Sequence, residues 1–221
     1  MGEKRGDVWD RYAAAYFKII ELSSLYSTLM DKAATYLQSC KRVLDVGCGT
    51  GNLLKRLTGE LYGIDTNLEM LRFAKQQLPN ATLLFQDAVA LKFNDGSFDG
   101  VSCINMLYYV DEPNKVLKET HRVLKPNGIL VVAGPKPNID YGVLEGNFKQ
   151  DLAKISITPE LSELIEIFKA CNKELIQKAM KNTYEVEELE EILLRIIGFK
   201  RIIHVDNTLY LGQDYFIVAE K

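Results

Sequence analysis

A short glycine-rich segment, LDVGCGTGN at 44–52, contains the residues of this sequence that most clearly indicate chemistry. Glycine adopts backbone conformations that other residues avoid, and it leaves no side chain between backbone amides and a ligand. The spacing departs from the dinucleotide fingerprint G-x-G-x-x-G, because Asn52 stands at the position of its last glycine, and no Walker lysine follows. The segment therefore predicts close contact between the backbone and a ligand, and it disfavours a dinucleotide or a nucleoside triphosphate.

Two acids indicate the charge and shape of that ligand. Asp45 lies two residues before the first glycine, where a carboxylate repels a polyphosphate and attracts an ammonium group. Asp65 ends the next apolar run, and a carboxylate there can accept hydrogen bonds from both hydroxyls of a ribose. A nucleoside joined to a cationic amino acid meets both demands. S-adenosylmethionine is such a molecule, and we predict it as the cofactor.

Alternating strands and helices must position these residues. Five apolar runs predict strands, at 43–46, 61–64, 81–85, 98–104 and 129–133. Helical periodicity follows three of them, at 53–57, 67–78 and 116–124. Two further strands, about 201–205 and 215–219, are joined by only nine residues, which is too short for a helical crossover, so they should be antiparallel neighbours. We predict an α/β fold: a doubly wound, Rossmann-like sheet of seven strands, mostly parallel with an antiparallel last strand, and helices on both faces.

Two segments outside this alternation should cover the site. Residues 1–40 have helical periodicity, with Tyr12 and Tyr16 on one apolar stripe, and predict amino-terminal helices over the cofactor. Residues 134–182 interrupt the alternation with an amphipathic helix and predict a helical insertion that caps the substrate. A last amphipathic helix ends before Gly198, a typical C-cap. At 221 residues, the whole chain, 1–221, should form one domain.

Composition argues against several classes of protein. The net charge of −3 provides no basic field for a phosphate backbone, so nucleic acid is not expected as a partner. The four cysteines form no C-x-x-C pair, so we predict no metal site, and free thiols of this kind are typical of a reduced, cytoplasmic protein. No apolar run approaches the length of a membrane span.

Five segments, in this order and spacing, resemble one known family. They are VLDVGCGTGNLL at 43–54, YGIDTNLEML at 62–71, QDA at 86–88, FDGVSCINMLYYVDEPNKVLKETHRVLKPNG at 98–128 and EELEEILLRIIGF at 187–199. The resemblance is to the class I S-adenosylmethionine-dependent methyltransferases, in the group whose small-molecule members include the ubiquinone and menaquinone methyltransferases. It covers 43–133 and the tail from 185.

The resemblance implies contacts to each part of the cofactor. The methionine moiety would lie against the glycine loop, at Asp45, Gly47, Cys48, Gly49 and Gly51, with the backbone of Asn105 close by. The adenosine would lie beside the residues after the second strand, with Asp65 on the ribose and Thr66, Asn67 and Met70 flanking it. The adenine would contact Asp87 through its amino group and Ala88 through a backbone amide. A strand-end acid such as Asp87 also serves as a cap or loop hydrogen-bonder, and that alternative stays open.

Tyrosines are the candidates on the reacting side. Members of this family often have an LHHV-like tetrapeptide where this chain has LYYV at 107–110, so a histidine-assisted mechanism is not expected. Tyr108 and Tyr109 become the candidate catalytic residues on the substrate side. Tyr12 and Tyr16 have two interpretations, core packing of the first helix or a place beside the methyl donor.

These inferences predict an enzyme that moves a methyl group from S-adenosylmethionine to an O, N or C nucleophile of a small molecule, and releases S-adenosylhomocysteine. The apolar stripe of the insertion suits a hydrophobic or aromatic acceptor. Two alternatives remain: a non-catalytic cofactor-binding module that acts through protein partners, or methylation of a macromolecule. The second is disfavoured because the sequence at 104–107 is INML, without the (Asn/Asp)-Pro-Pro-(Tyr/Phe) motif of base-amino methyltransferases. The sequence does not indicate an oligomeric state.

Overall fold

A seven-stranded sheet organises the part of the chain that the computed structural model describes, residues 6–179 and 181–221. The strands are β1 Arg42–Val46, β2 Glu60–Asp65, β3 Thr82–Phe85, β4 Phe98–Ile104, β5 Leu124–Pro135, β6 Arg201–Asp206 and β7 Asp214–Glu220. Their order across the sheet is β3-β2-β1-β4-β5-β7-β6. β7 runs antiparallel to both of its neighbours, and the other paired strands are parallel. The predicted fold is therefore confirmed.

Helices cover both faces of this sheet. They are α1 Gly6–Ile19, α2 Ser24–Leu37, α3 Leu68–Gln77, α4 Pro113–Val123, α5 Tyr141–Leu152, α6 Pro159–Ala179, α7 Val186–Glu191 and the short α8 Leu209–Gly212. α7 continues as a π-helical segment, Ile192–Ile197, which ends at Gly198 in the left-handed conformation (φ 97°), as the sequence predicts. None of the helices in the described part of the chain is long and apolar enough to span a bilayer.

Two predicted boundaries differ from the structure. The helix predicted at 53–57 is a single 3₁₀ turn, Leu54–Arg56, because the chain must enter β2 only a few residues later. It does so through Gly59 (φ 107°), where an added Cβ would lie 2.6 Å from the carbonyl oxygen of Lys41. β5 begins at Leu124, directly after α4, and not at 129 as predicted, because Leu124 already pairs with Phe98 in the sheet.

Apolar side chains pack against each face of the sheet and in a third, helical layer. On one face the core joins the strands to α4 and α7, and on the other it joins them to α2. The third cluster packs α1 against α6 and α3, with Tyr12, Ile19, Met70 and Phe168 among its members. Full burial of each large apolar side chain stabilises the folded protein by about 1.5–3 kcal/mol relative to leaving it exposed. This third cluster holds the helical layer at the edge of the sheet where the parallel strands end.

Candidate functional site

A large cavity lies at the carboxyl ends of β1, β2, β3 and β4. Its volume is about 1100 Å³, which slightly exceeds the roughly 300–1,000 Å³ typical of ligand sites, so it has room for two small molecules. The glycine loop and the strand ends form its floor, and side chains of α1, α5 and α6 form its cover. Every predicted site residue except Gly51 lines it.

The glycine loop bends tightly and leaves backbone exposed to the cavity. Gly47, Gly49 and Gly51 all have positive φ, of 73°, 52° and 83°. At Gly47 an added Cβ would lie 2.9 Å from Cβ of Met106, so a side chain there would displace the start of the turn after β4. The loop is held down because the amides of residues 47 and 48 each donate to the carbonyl of Ile64, at 2.9 Å.

Gly51 is the exception among the predicted cofactor residues. It does not line the cavity but faces α3, where an added Cβ would lie 2.7 Å from Cδ1 of Leu78 and 3.4 Å from Cβ of Ala74. The third glycine therefore serves close packing of the loop against a helix, and its contact with the cofactor stays a prediction.

Asp45 places a buried negative charge beside this loop. Its side chain is 5% exposed, and the hydroxyl of Ser102, its partner on β4, donates to its Oδ1 at 2.7 Å. Burial raises the pKa of Asp45 to about 7, the hydrogen bond opposes this rise, and the nearby charge of Asp65 adds to it. No ion pair to Asp45 is found among the described residues. A cationic group entering the cavity would stabilise this carboxylate, which agrees with the predicted ammonium site.

Asp65 connects the glycine loop to the turn after β2. The amides of Gly49 and Asn67 donate to its two carboxylate oxygens, each at 2.9 Å. Burial raises the pKa of Asp65, and these backbone hydrogen bonds oppose the rise. An ionised carboxylate has about four acceptor positions, so these two amides and that of Thr66 leave capacity for a ribose hydroxyl. Asn67 in turn caps α3, since its side chain accepts from the amide of Met70 at 2.8 Å. Thr66, between them, is exposed and lines the cavity.

Asp87 and Ala88 follow β3 and line the same cavity. The Asp87 side chain is exposed, and its Oδ1 accepts from the amide of Val89 at 3.1 Å, a local turn contact. This hydrogen bond uses one acceptor position and leaves the second oxygen for an amino group. Asp87 therefore makes a local turn hydrogen bond, and its role toward adenine stays a prediction.

Asn105 redirects the chain at the end of β4. It has a left-handed backbone (φ 52°), uncommon for a residue other than glycine, and its amide donates to the carbonyl of Ala133 at 2.9 Å. The turn that follows brings the rings of Tyr108 and Tyr109 together over the cavity, with centroids 4.2 Å apart. Burial raises the pKa of both phenols, so both hydroxyls stay protonated at neutral pH.

Tyr12 and Tyr16 pack in the helical layer and also face the cavity, while their place beside the methyl donor stays a prediction. Both line the cavity, and both belong to the packed cluster of α1 and α6, where Tyr12 stacks on Phe168 with centroids 5.4 Å apart. An added Cβ at Gly49 would lie 3.9 Å from the Tyr16 ring, so this ring closes over the glycine loop. The Tyr16 hydroxyl donates to that of Tyr26 at 3.1 Å.

Several cavity residues were missed from the sequence. Tyr141, Tyr210 and Asp214 line the side of the cavity beyond β5. Tyr210 and Leu211 have left-handed backbones, with φ of 49° and 58°, which no sequence motif announces. Asp214 directly precedes the apolar run predicted as the last strand, and an acid next to a strand end was the available signal.

Comparisons with known proteins agree with this geometry. Residues 44–132 match a family model described as a methyltransferase domain. The chain is 33% identical over 182 residues to YqeM of Bacillus subtilis, provisionally named as a methyltransferase, covering 72% of this chain and 73% of that protein. It is 42% identical over 96 residues to a demethylmenaquinone methyltransferase of Renibacterium salmoninarum, covering 42% of this chain and 40% of the relative. It thus spans less than half the length of that relative.

A solved structure shares the fold over almost the whole chain. It is a protein of Thermotoga maritima described as an S-adenosylmethionine-dependent methyltransferase, possible histamine N-methyltransferase, with a TM-score of 0.67 and 20% identity. The similarity covers 97% of this chain and 98% of that one. Sheet order, glycine loop and sequence similarity agree: this chain belongs to the class I S-adenosylmethionine-dependent methyltransferases.

Proposed function

We propose that this protein binds S-adenosylmethionine in the cavity and transfers its methyl group to a small molecule. The observation that carries the proposal is the pair of acids, buried Asp45 and half-buried Asp65, beside a glycine loop with exposed backbone. The first acid suits an ammonium group and the second suits a ribose, and both border one cavity. A dinucleotide would bring a pyrophosphate to the same acids, which repel it.

The chain's own residues would mainly align the two reactants and exclude water. When bound, S-adenosylmethionine supplies a methyl group already activated as a sulfonium. Asp45 would hold the cofactor's amino group and Asp65 its ribose hydroxyls, which fixes the direction from which an acceptor approaches. Tyr108 and Tyr109 remain protonated. Their neutral aromatic rings would stabilise the positive charge of the sulfonium.

The helical cover favours a small acceptor over a macromolecule. Tyr12, Phe148 and Phe168 close the cavity from above, so a polymer surface would have to displace α1 and α6 to reach it. We further propose that residues 134–182 act as the substrate cap and that the helices within 1–40 cover the cofactor. Exchanging 134–182 for the corresponding segment of a relative should change acceptor preference and leave cofactor affinity unchanged; unchanged acceptor preference would contradict the cap.

Calorimetric titration with S-adenosylhomocysteine and with NAD tests cofactor choice. We expect binding of the first alone, and at least tenfold weaker binding after Asp45→Asn. Asp95→Asn is the matched control, because it removes the same charge from an 81% exposed side chain outside the cavity. Tight binding of S-adenosylhomocysteine without methyl transfer to any component of a small-molecule extract would favour the alternative, a non-catalytic module. NAD binding would refute the proposal.

A further inference from the structure

Asp214 is a second buried acid of the cavity, on the side away from the predicted cofactor residues. It is the first residue of β7, and its side chain is 4% exposed. Within 6–179 and 181–221, no hydrogen bond or ion pair to its carboxylate is found. The charge that most favours its ionised form is that of Lys136, but this ammonium donates to the carbonyls of Asn207 and Gly212, both at 2.9 Å. A buried carboxylate without a donor is costly, so a ligand that supplies one would be bound strongly.

The reversal of the last strand explains how this acid reaches the cavity. Asp214 pairs with Pro135, the last residue of β5, so the start of antiparallel β7 lies at the same edge as the ends of the parallel strands. Three strand spacings, roughly 14 Å, separate β7 from the strand that carries Asp45. The two acids therefore serve different parts of the cavity.

Tyrosines share the cavity with this carboxylate and feel its charge. Tyr108, Tyr141 and Tyr210 line the cavity beside it, and Tyr215 follows it in β7. The Asp214 charge opposes the ionisation of all four phenols, and Lys136 is the cation that acts on it. The surroundings thus combine neutral phenols with one acid, and Lys136 donates to backbone carbonyls and not to the Asp214 carboxylate. A carboxylate flanked by aromatic faces is the chemistry that recognises an organic ammonium group.

We propose that Asp214 binds the amino group of the methyl acceptor, so that the small molecule methylated by this protein is an amine with an apolar or aromatic body. This inference rests on the proposed function. It assigns Asp45 and Asp214 to two cations, the amino group of the cofactor and that of the acceptor, at opposite ends of one cavity.

The assigned role also provides for the acceptor's proton. An ammonium nitrogen has no free electron pair, so it must lose one proton before attack, and the Asp214 carboxylate accepts that proton. The nitrogen pair then forms the bond to the methyl carbon, the carbon–sulfur bond breaks, and sulfur keeps that electron pair. Asp214 afterwards returns its proton to solvent, and the product leaves as a methylated ammonium.

Paired ligands test this assignment on the full chain saturated with S-adenosylhomocysteine. The probes are three amines and their alcohols: 2-phenylethylamine and 2-phenylethanol, tryptamine and tryptophol, octylamine and octanol, titrated at pH 8. We expect at least one amine to bind tenfold or more tightly than its alcohol. Asp214→Asn should remove that preference while leaving the alcohol within twofold, and Asp95→Asn should retain it.

The outcomes separate this inference from the proposed function. If S-adenosylhomocysteine does not bind the wild-type chain, the proposed function fails. If it binds but no amine is preferred over its alcohol, the inference about Asp214 is overturned and the proposed function stands. The wild-type comparison does not depend on how well the variant folds. If the wild type prefers an amine, unchanged affinity of Asp214→Asn for S-adenosylhomocysteine verifies that the variant is folded. A preference for the amine that is retained in the folded variant also overturns the assignment.

Discussion

Replacing Asp45 by asparagine should stabilise the free protein at high pH while it weakens cofactor binding. The carboxylate is buried, its pKa is raised from 3.8 to about 7, and its one hydrogen bond comes from Ser102. Asparagine keeps an oxygen that can accept this hydrogen bond but carries no charge. The substitution thus removes a buried charge that favours cofactor binding but lowers the stability of the folded protein.

The magnitude follows from the two pKa values. The folded protein holds the Asp45 proton more tightly than the unfolded chain does, so stability falls as pH rises from about 4 to about 7 and is constant above that. With 1.36 kcal/mol for each pH unit between the two values, the full loss is about 4 kcal/mol, of which about 3 kcal/mol falls between pH 5 and pH 8. The Asp45→Asn variant does not lose this stability as the pH rises, because asparagine does not titrate.

Urea unfolding at pH 5 and pH 8 measures the effect. The free energy of unfolding of Asp45→Asn minus that of wild type should be about 3 kcal/mol larger at pH 8 than at pH 5, so the variant gains relative stability as the pH rises. Asp214 contributes a similar pH dependence to both proteins, since its pKa is also about 7, and so it cancels in the difference. Saturating S-adenosylhomocysteine should reduce or reverse the difference at pH 8, because it stabilises the wild type more. A difference that is the same at both pH values would refute the reasoning.

Three further substitutions or probes test the loop. Gly47→Ala should lower the free energy of unfolding by about 1–3 kcal/mol and weaken S-adenosylhomocysteine binding, because its Cβ would lie 2.9 Å from Met106 at a φ of 73°; urea titration and calorimetry measure both. Gly51→Ala should lower stability by a similar amount through its contact with Leu78, yet weaken binding less than Gly47→Ala does, and the reverse order of affinities would contradict its place outside the cavity. Burial raises the pKa of the Cys48 thiol, so iodoacetamide at pH 8 should modify it far more slowly in the folded protein than in urea, as mass spectrometry can follow, and equal rates would be inconsistent with that burial.

Strand positions could be predicted from the sequence because each buried strand is a short apolar run bounded by turn residues. β4 has both predicted ends, Phe98 and Ile104. The failed helix at 53–57 shows the limit of this reasoning. Leu53, Leu54 and Leu57 have helical spacing, and all three are buried, but the length of chain before β2 allows only one turn. Periodicity indicates which side chains are buried, while the distance to the next strand decides the conformation that buries them.

The two halves of the cavity differ in how far the sequence could predict them. Asp45 and Asp65 end parallel strands, and every such strand directs its carboxyl end to one edge of the sheet, so local order in the chain was enough to bring them together.

Asp214 begins its strand, and an acid in that position would lie at the opposite edge if β7 were parallel. Its place in the cavity depends on the antiparallel pairing with β5, a contact between residues almost eighty positions apart. The antiparallel direction of the last strands was predicted, but its consequence for Asp214 follows only when the register is known, because register decides which residue of β7 pairs with Pro135. The acceptor side of the site is therefore set by long-range strand pairing, whereas the cofactor side is set by local motifs.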